Sequence, residues 1–235
     1  MSPKRLVLFD IDGTLLWGGP LWKECFVGAL NHYFPQFEFP PIAFGGKTDV
    51  QICIEMMQEA GFEKSQIDTS MQLIVDEYVK RAHAAVQTRS SEVNVLPGVV
   101  EVLDALASKK EVKLGLLTGN IKKGAYIKLS SVGLNSYFNF GVFCDDHYDR
   151  YKLPALAQAK ASEELGLPFY GKQIVIIGDT IHDVNCGKSI GARSIAVGTG
   201  LHVNHEELLA QNPDYFFKDL SQTFDIMNAI MEEIE

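Results

Sequence analysis

Short apolar runs alternate with helix-like segments along most of this chain. The runs that predict buried strands lie at residues 6–9, 112–117, 138–143, 174–177, 194–197 and 215–217. Most of them are separated by stretches with the apolar spacing of a helix, at residues 99–107, 125–132, 154–165 and 184–190. This alternation is typical of a parallel sheet with helices on both faces. The pattern therefore predicts an α/β fold with a Rossmann-like, doubly wound parallel sheet at its core.

The region directly after the first strand has a different pattern, with helical spacing and no convincing strand. An apolar residue recurs at every fourth position before Pro35, at Trp22, Phe26, Leu30 and Phe34. Two further helices are predicted at residues 50–60, after Asp49, and at residues 71–86, with Ser70 as the N-cap. We therefore predict a core domain of residues 1–16 and 92–235, with a helical domain of residues 17–91 inserted into it.

The amino-acid composition restricts the class of ligand that we expect and the cellular compartment of the protein. The chain has 235 residues, a formal net charge of −9 and no basic cluster, so we expect no binding to nucleic acid or to an anionic membrane surface. No apolar segment is long enough to span a bilayer. The four cysteines form no C-x-x-C pair, which argues against a zinc ribbon and favours a reducing compartment. These features predict a cytoplasmic protein whose partner is a small molecule.

Reactive side chains follow three of the predicted strands. Asp10 and Asp12 follow the first strand, Thr118 follows the strand at 112–117, and Asp179 and Asp183 follow the strand at 174–177. Because the carboxyl ends of parallel strands meet at one edge of a sheet, we expect these side chains to converge. Two carboxylates about 4 Å apart repel by roughly 4 kcal/mol at an effective dielectric constant near 20, so several of them require a cation. Oxygen ligands favour a hard ion, and the predicted cofactor is Mg²⁺.

The motifs at these strand ends resemble those of the haloacid dehalogenase superfamily. They are D-x-D-G-T at residues 10–14, the strand ending in Thr118, the segment 150–154, and G-D-T-x-x-D at residues 178–183. Among the members of that superfamily, the chain is most similar to the phosphatases of the phosphoglycolate phosphatase and β-phosphoglucomutase-like group. The resemblance covers essentially the whole chain, and it implies that residues 17–91 are the helical cap domain of that group.

The resemblance also implies roles for the residues of the four motifs. Asp10 would be the nucleophile that forms an aspartyl phosphate, and Asp12 would be the general acid and base. Thr118 and a basic residue would hold the phosphoryl group. The implied metal ligands are Asp10, Asp179 and the backbone carbonyl of Asp12, while Asp183 would hold a metal-bound water or the basic residue.

The identity of the basic residue is open, because many relatives have Lys-Pro where this chain has the sequence DRYKLP at residues 149–154. Arg150 is the first choice, since a guanidinium can bridge an aspartate and a phosphate, and Lys152 is the alternative. Further substrate contacts are expected from Gly119 and Asn120. Lys47, in a loop of the predicted cap domain, could meet a negatively charged leaving group.

These expectations predict an enzyme, a Mg²⁺-dependent phosphatase that hydrolyses small organic phosphate monoesters. A sugar-phosphate mutase of the same superfamily is the alternative enzyme, because it uses the same aspartyl phosphate. The non-enzymatic alternative is a phospho-accepting signalling switch of the receiver type, although the large helical insertion argues against it. The expected partner is a small phosphorylated metabolite, and the sequence does not distinguish a monomer from a homodimer.

Overall fold

A six-stranded sheet forms the centre of the molecule. The computed structural model describes residues 4–200 and 204–233, so the extreme ends of the predicted core domain lie outside the described residues. The strands within these ranges are β1 (Arg5–Phe9), β2 (Leu16–Trp17), β3 (Asn94–Val95), β4 (Val112–Leu117), β5 (Gly141–Val142), β6 (Ile174–Gly178), β7 (Arg193–Val197) and β8 (Tyr215–Phe217). Six of them pair in parallel in the order β5-β4-β1-β6-β7-β8. The predicted parallel α/β sheet is confirmed.

Three helices lie between β2 and β3, and the other helices of the described ranges follow β3. The first group, here called the inserted helices, comprises α1 (Leu21–Tyr33), α2 (Asp49–Glu59) and α3 (Lys64–Arg89). The second group is α4 (Val99–Ala107), α5 (Lys122–Ser131), α6 (Leu153–Leu165), α7 (Ile181–Ser189), α8 (His205–Ala210) and α9 (Thr223–Met231). β2 and β3 pair antiparallel, so the two ends of the segment that carries the inserted helices lie side by side.

Successive residues of β1 pack on opposite faces of the sheet. Val7 and Phe9 belong to a large apolar cluster that also includes side chains of α4 and the inserted helices. Leu6 and Leu8 belong to a second cluster, which includes side chains of α6. Because side chains alternate along a strand, both faces of β1 are covered, and the strand is a continuous apolar run rather than an alternating one.

Several of the predicted element boundaries differ from those of the structure. α3 begins at Lys64 rather than at residue 71, because Glu63 forms a capping box with Gln66, and Ser70 lies inside the helix. α2 begins at Asp49 rather than at residue 50, and Thr48 caps it. The predicted strand at 138–143 is reduced to Gly141–Val142, because the pairing of β4 with β5 involves only those two residues. Among the described residues, none of the helices combines the length and the hydrophobicity that spanning a bilayer requires.

Candidate active site

β1 delivers Asp10 to the carboxyl edge of the sheet. The backbone N–H of Asp10 donates to the carbonyl of Ile177 at 3.0 Å, which extends the pairing of β1 with β6 by one residue. The Asp10 side chain is buried. Gly13 has a φ of +84°, and any side chain at this position would overlap the carboxylate of Asp179. This glycine therefore allows the turn after β1 to lie directly against the end of β6.

Asp10, Asp179 and Asp183 form a cluster that we call the acidic triad. Each contributes a carboxylate oxygen to a group whose members all lie within 4.8 Å of one another, and all three residues are buried. Burial raises the pKa of Asp10 to about 6, and the neighbouring Asp183 adds to the rise. Burial and the same neighbouring carboxylate raise the pKa of Asp179 well above its ordinary value. A divalent cation among these oxygens would favour their ionised forms, so the acidic triad fits a metal site.

Arg150 lies within hydrogen-bonding distance of two members of the acidic triad. Its Nη2 is 3.0 Å from Asp10 Oδ2 and also pairs with Asp183 Oδ1. Burial alone would lower the pKa of Arg150, but the charges of Asp183 and Asp10 hold it well above its ordinary value. Lys152, by contrast, is exposed. When all four groups are ionised, the acidic triad and Arg150 carry a net charge of −2, which one divalent cation would balance.

Asp12 is directed toward a different set of partners from those of Asp10. Its Oδ2 accepts hydrogen bonds from Asn120 Nδ2 at 2.9 Å and from Lys128 Nζ at 2.6 Å. Asn120 also donates from Nδ2 to Thr118 Oγ1 at 2.8 Å, and its backbone N–H donates to the same oxygen at 3.3 Å. Because Thr118 Oγ1 accepts these bonds, its own proton is available for a further acceptor.

The two acidic residues after β6 are oriented by threonines. Thr14 Oγ1 donates to Asp179 Oδ1 at 3.1 Å. Asp183 lies in the first turn of α7, where its Oδ2 accepts from the backbone N–H of Thr180 at 3.0 Å and from Thr180 Oγ1 at 2.6 Å. Since the other oxygen of Asp183 contacts Arg150, both oxygens of this carboxylate have protein partners.

The loop before α2 packs against the same edge of the sheet. Thr48 Oγ1 donates to the carbonyl of Tyr148 at 2.7 Å, and the backbone N–H of Asp49 donates to the carbonyl of Gly119 at 2.8 Å. The Asp49 carboxylate accepts from the backbone N–H of Ile121 at 2.8 Å. Lys47, the expected substrate contact, forms an ion pair with Glu55 of α2. The inserted helices are thus hydrogen-bonded to the Thr-Gly-Asn loop after β4.

Among the predicted site residues, the structure brings Asp10, Asp179, Asp183 and Arg150 together, and it joins Asp12 to Thr118 through Asn120. The sequence interpretation missed Lys128, which is only 4% exposed. A local signal exists, because Lys128 follows Ile121 and Ala125 with the spacing i, i+4, i+7 and so falls on the apolar face of α5. A lysine at such a position needs a partner, since a buried charge is costly when it is unpaired.

Comparisons with known proteins identify the family. A model of haloacid dehalogenase-like hydrolases matches residues 7–197. Pyrophosphatase PpaX of Halalkalibacterium halodurans is 27% identical over 224 residues, which are 95% of this chain and 96% of that protein. A β-phosphoglucomutase from Clostridium difficile superposes with a TM-score of 0.71 at 16% identity, covering 98% of each chain. A predicted phosphoglycolate phosphatase from Haemophilus somnus superposes with a TM-score of 0.67 at 18% identity, covering 97% of this chain and 99% of its own. The chain belongs to the haloacid dehalogenase-like hydrolase family.

Proposed function

We propose that this hydrolase is a Mg²⁺-dependent phosphatase of small organic phosphate monoesters, with Asp10 as the nucleophile. The observation that carries the proposal is the position of the Asp10 carboxylate, which contacts Arg150 at 3.0 Å and belongs to the acidic triad. Phosphoryl transfer depends mainly on alignment of the nucleophile and on compensation of charge on the phosphoryl oxygens. A nucleophilic carboxylate beside a guanidinium and two further carboxylates supplies a fixed nucleophile, a cationic donor and ligands for a metal ion.

The proposed Mg²⁺ ligands are the side chains of Asp10 and Asp179 and the backbone carbonyl of Asp12. Asp183 is proposed to hold a metal-bound water or Arg150, and its contact with Arg150 supports the second of these roles. The choice of Mg²⁺ rests on the donor set, which consists of oxygen atoms only. When bound, the ion would offset negative charge on the phosphoryl group.

The protein groups account for two successive displacements at phosphorus. Asp10 forms a bond to phosphorus while the bond to the leaving oxygen breaks, and Asp12 transfers its proton to that oxygen. Asp12 then accepts a proton from a water molecule whose oxygen attacks the phosphorus, which breaks the bond to Asp10 and releases phosphate. Arg150 and Thr118 are proposed to donate hydrogen bonds to the phosphoryl oxygens.

The proposed substrate is small and negatively charged beyond its reacting phosphate. Two similar proteins support this class, since one is named a pyrophosphatase and the other a predicted phosphoglycolate phosphatase. Residues 17–91 are proposed to be the cap domain that selects the substrate, and Lys47 would contact its leaving group. Gly119 and Asn120 remain proposed substrate contacts, and Lys152 remains the alternative to Arg150. The four cysteines of the chain are free thiols, which supports a reducing compartment such as the cytoplasm.

The test is phosphate release from a panel of phosphate monoesters, measured with Mg²⁺ for the native protein and for Asp10→Asn. We expect many turnovers per native molecule and none for Asp10→Asn. Asp225→Asn, which removes an exposed acid of α9, is the matched control and should keep full activity. Transfer of the phosphoryl group back to a sugar phosphate without net phosphate release would favour the mutase. A single stoichiometric phosphorylation without turnover would favour the signalling switch.

A further inference from the structure

Lys128 and Asp12 form an ion pair in which the lysine side chain is buried and the aspartate side chain is partly exposed. The Lys128 side chain is 5% exposed and that of Asp12 is 34% exposed. The ammonium lies 2.6 Å from Asp12 Oδ2, and the Asn120 amide donates to the same oxygen at 2.9 Å. Two donors on one oxygen fix both the rotation and the direction of the carboxylate.

The arrangement distinguishes the two oxygens of Asp12. Among the residues that the structure describes, the two side chains that donate to this carboxylate are Asn120 and Lys128, and both donate to Oδ2. Oδ1 is therefore the oxygen that can exchange a proton with a substrate or a water molecule. A carboxylate that transfers a proton must lie within hydrogen-bonding distance of the reacting oxygen, so its orientation contributes directly to the rate.

The position of the Lys128 ammonium is itself defined by groups from the inserted helices. The Nζ atom lies over the indole ring of Trp22 in α1, 5.3 Å from the centroid. The negative charge of Asp49, at the start of α2, also interacts with Lys128. Because the carboxylate of Asp49 accepts a hydrogen bond from Ile121 directly before α5, this acid is fixed near the helix that carries the lysine. Lys128 is thus enclosed by groups from both parts of the molecule.

We propose that Lys128 is a positioning residue that orients Asp12 for proton transfer. The inference rests on the proposed function, because it assumes that Asp12 exchanges protons with the leaving group and with water. Lys128 acts through Asp12 and does not touch the phosphoryl group. This role differs from that of Arg150, which contacts the nucleophile and not the acid and base.

The kinetic test compares Lys128→Met and Lys128→Arg with Lys123→Met, which removes an exposed lysine from the same helix. We expect Lys128→Met to lower kcat by about 10- to 100-fold with little change in KM, which is the effect of impaired proton transfer. Lys128→Arg should recover part of the loss, and Lys123→Met should behave as the native protein. A large rise in KM with unchanged kcat would overturn the proposal, because it would mean that Lys128 binds substrate directly.

A double-mutant cycle tests whether Lys128 acts through Asp12. The substrate is an aryl phosphate whose leaving group departs without a proton from Asp12, so kcat reports hydrolysis of the aspartyl phosphate, which continues slowly in Asp12→Asn without the base. We expect Lys128→Met to change kcat by less than about twofold in the Asp12→Asn background, since its effect should vanish once the carboxylate is gone. Independent, multiplicative losses would overturn the proposal.

A structural measurement separates this inference from the proposed function. In crystals of Lys128→Met and of Lys128→Gln, we expect the Asp12 side chain to leave its contact with Asn120 or to adopt more than one conformer. An unchanged Asp12 carboxylate in a folded variant would overturn the positioning role. If the native protein released no phosphate from any ester, the proposed function would fail, whereas the conformation of Asp12 would still report whether Lys128 orients it.

Discussion

Arg150 Nη2 lies 3.0 Å from Asp10 Oδ2 and is held there by a second ion pair of the same nitrogen with Asp183. Asp183 is itself fixed by Thr180 at the start of α7. The position of the guanidinium beside the nucleophile therefore depends on α7, although Arg150 precedes α6 in the chain. A lysine could supply the charge but not the several fixed donors of a guanidinium.

The first prediction concerns the choice between Arg150 and Lys152. Arg150→Ala should lower kcat/KM by about 100-fold or more, because it removes a charged donor from the reacting phosphate. Arg150→Lys should recover only part of this loss, and the exposed Lys152→Ala should stay within about twofold of the native value. Steady-state kinetics with saturating Mg²⁺ measure kcat/KM for these three variants and for the native protein. Loss of turnover in Lys152→Ala together with an active Arg150→Ala would reverse the assignment.

The sequence predicts the sheet and its reactive edge well because both depend on local patterns. Residues 112–117 and 215–217 match the observed strands, and residues 99–107 match α4 without error. A buried parallel strand is a continuous apolar run, and its carboxyl end is identified by the first polar residue after it. Asp10 and Asp179 are found in this way, although the strands that carry them are far apart in the chain.

The partners of these residues could not be predicted in the same way. Lys128 pairs with Asp12 across a separation of 116 residues, which no local sequence pattern connects. The start of α3 differs from the prediction for another reason. The polar residues 68–70 look like a helix start, but they lie on the accessible side of a longer helix that begins with a capping box at Glu63.

The second prediction concerns the metal site of the acidic triad. Without metal, Asp179→Asn should unfold at a higher temperature than the native protein, because burial and like charges disfavour ionised Asp179. Mg²⁺ at a hundredfold excess over its Kd should stabilise the native fold by about 2.7 kcal/mol and so raise its melting temperature. The same addition should have little effect on the melting temperature of the variant. Calorimetry in EDTA and in Mg²⁺ measures both. Equal shifts for the two proteins would contradict a site at Asp179.

The third prediction is a pH dependence of stability caused by Asp49. Burial raises the pKa of Asp49 from 3.8 to about 6 in the folded protein. The folded state therefore binds the proton of the Asp49 carboxyl more tightly than the unfolded state does. The contribution of this proton to the free energy of unfolding is fully present below pH 3.8 and is lost as the pH rises to about 6. Asp49→Asn can still accept the hydrogen bond from Ile121 but does not titrate. The variant should thus gain up to about 3 kcal/mol over the native protein across this interval.

Urea unfolding of both proteins at several pH values in EDTA measures this difference. Groups that do not interact with Asp49 titrate alike in the two proteins and cancel in the comparison. Asp225→Asn serves as the reference for the loss of an exposed acid, and its difference from the native protein should not grow with pH in the same interval. A constant difference between Asp49→Asn and the native protein would contradict the raised pKa.

The last prediction compares two adjacent glycines in the loop before α2. Gly46 has a φ of +74°, and a side chain there would overlap the His182 ring, whereas the space around Gly45 is open. Gly46→Ala combines backbone strain of about 1 to 2 kcal/mol with a steric conflict, so it should displace the loop and raise KM. Gly45→Ala should leave KM unchanged. His182→Ala removes the steric conflict but not the backbone strain. In the His182→Ala background, Gly46→Ala should therefore raise KM by less than it does in the native protein. If both glycine variants raise KM equally, the effect comes from general stiffening of the loop and not from its contact with α7.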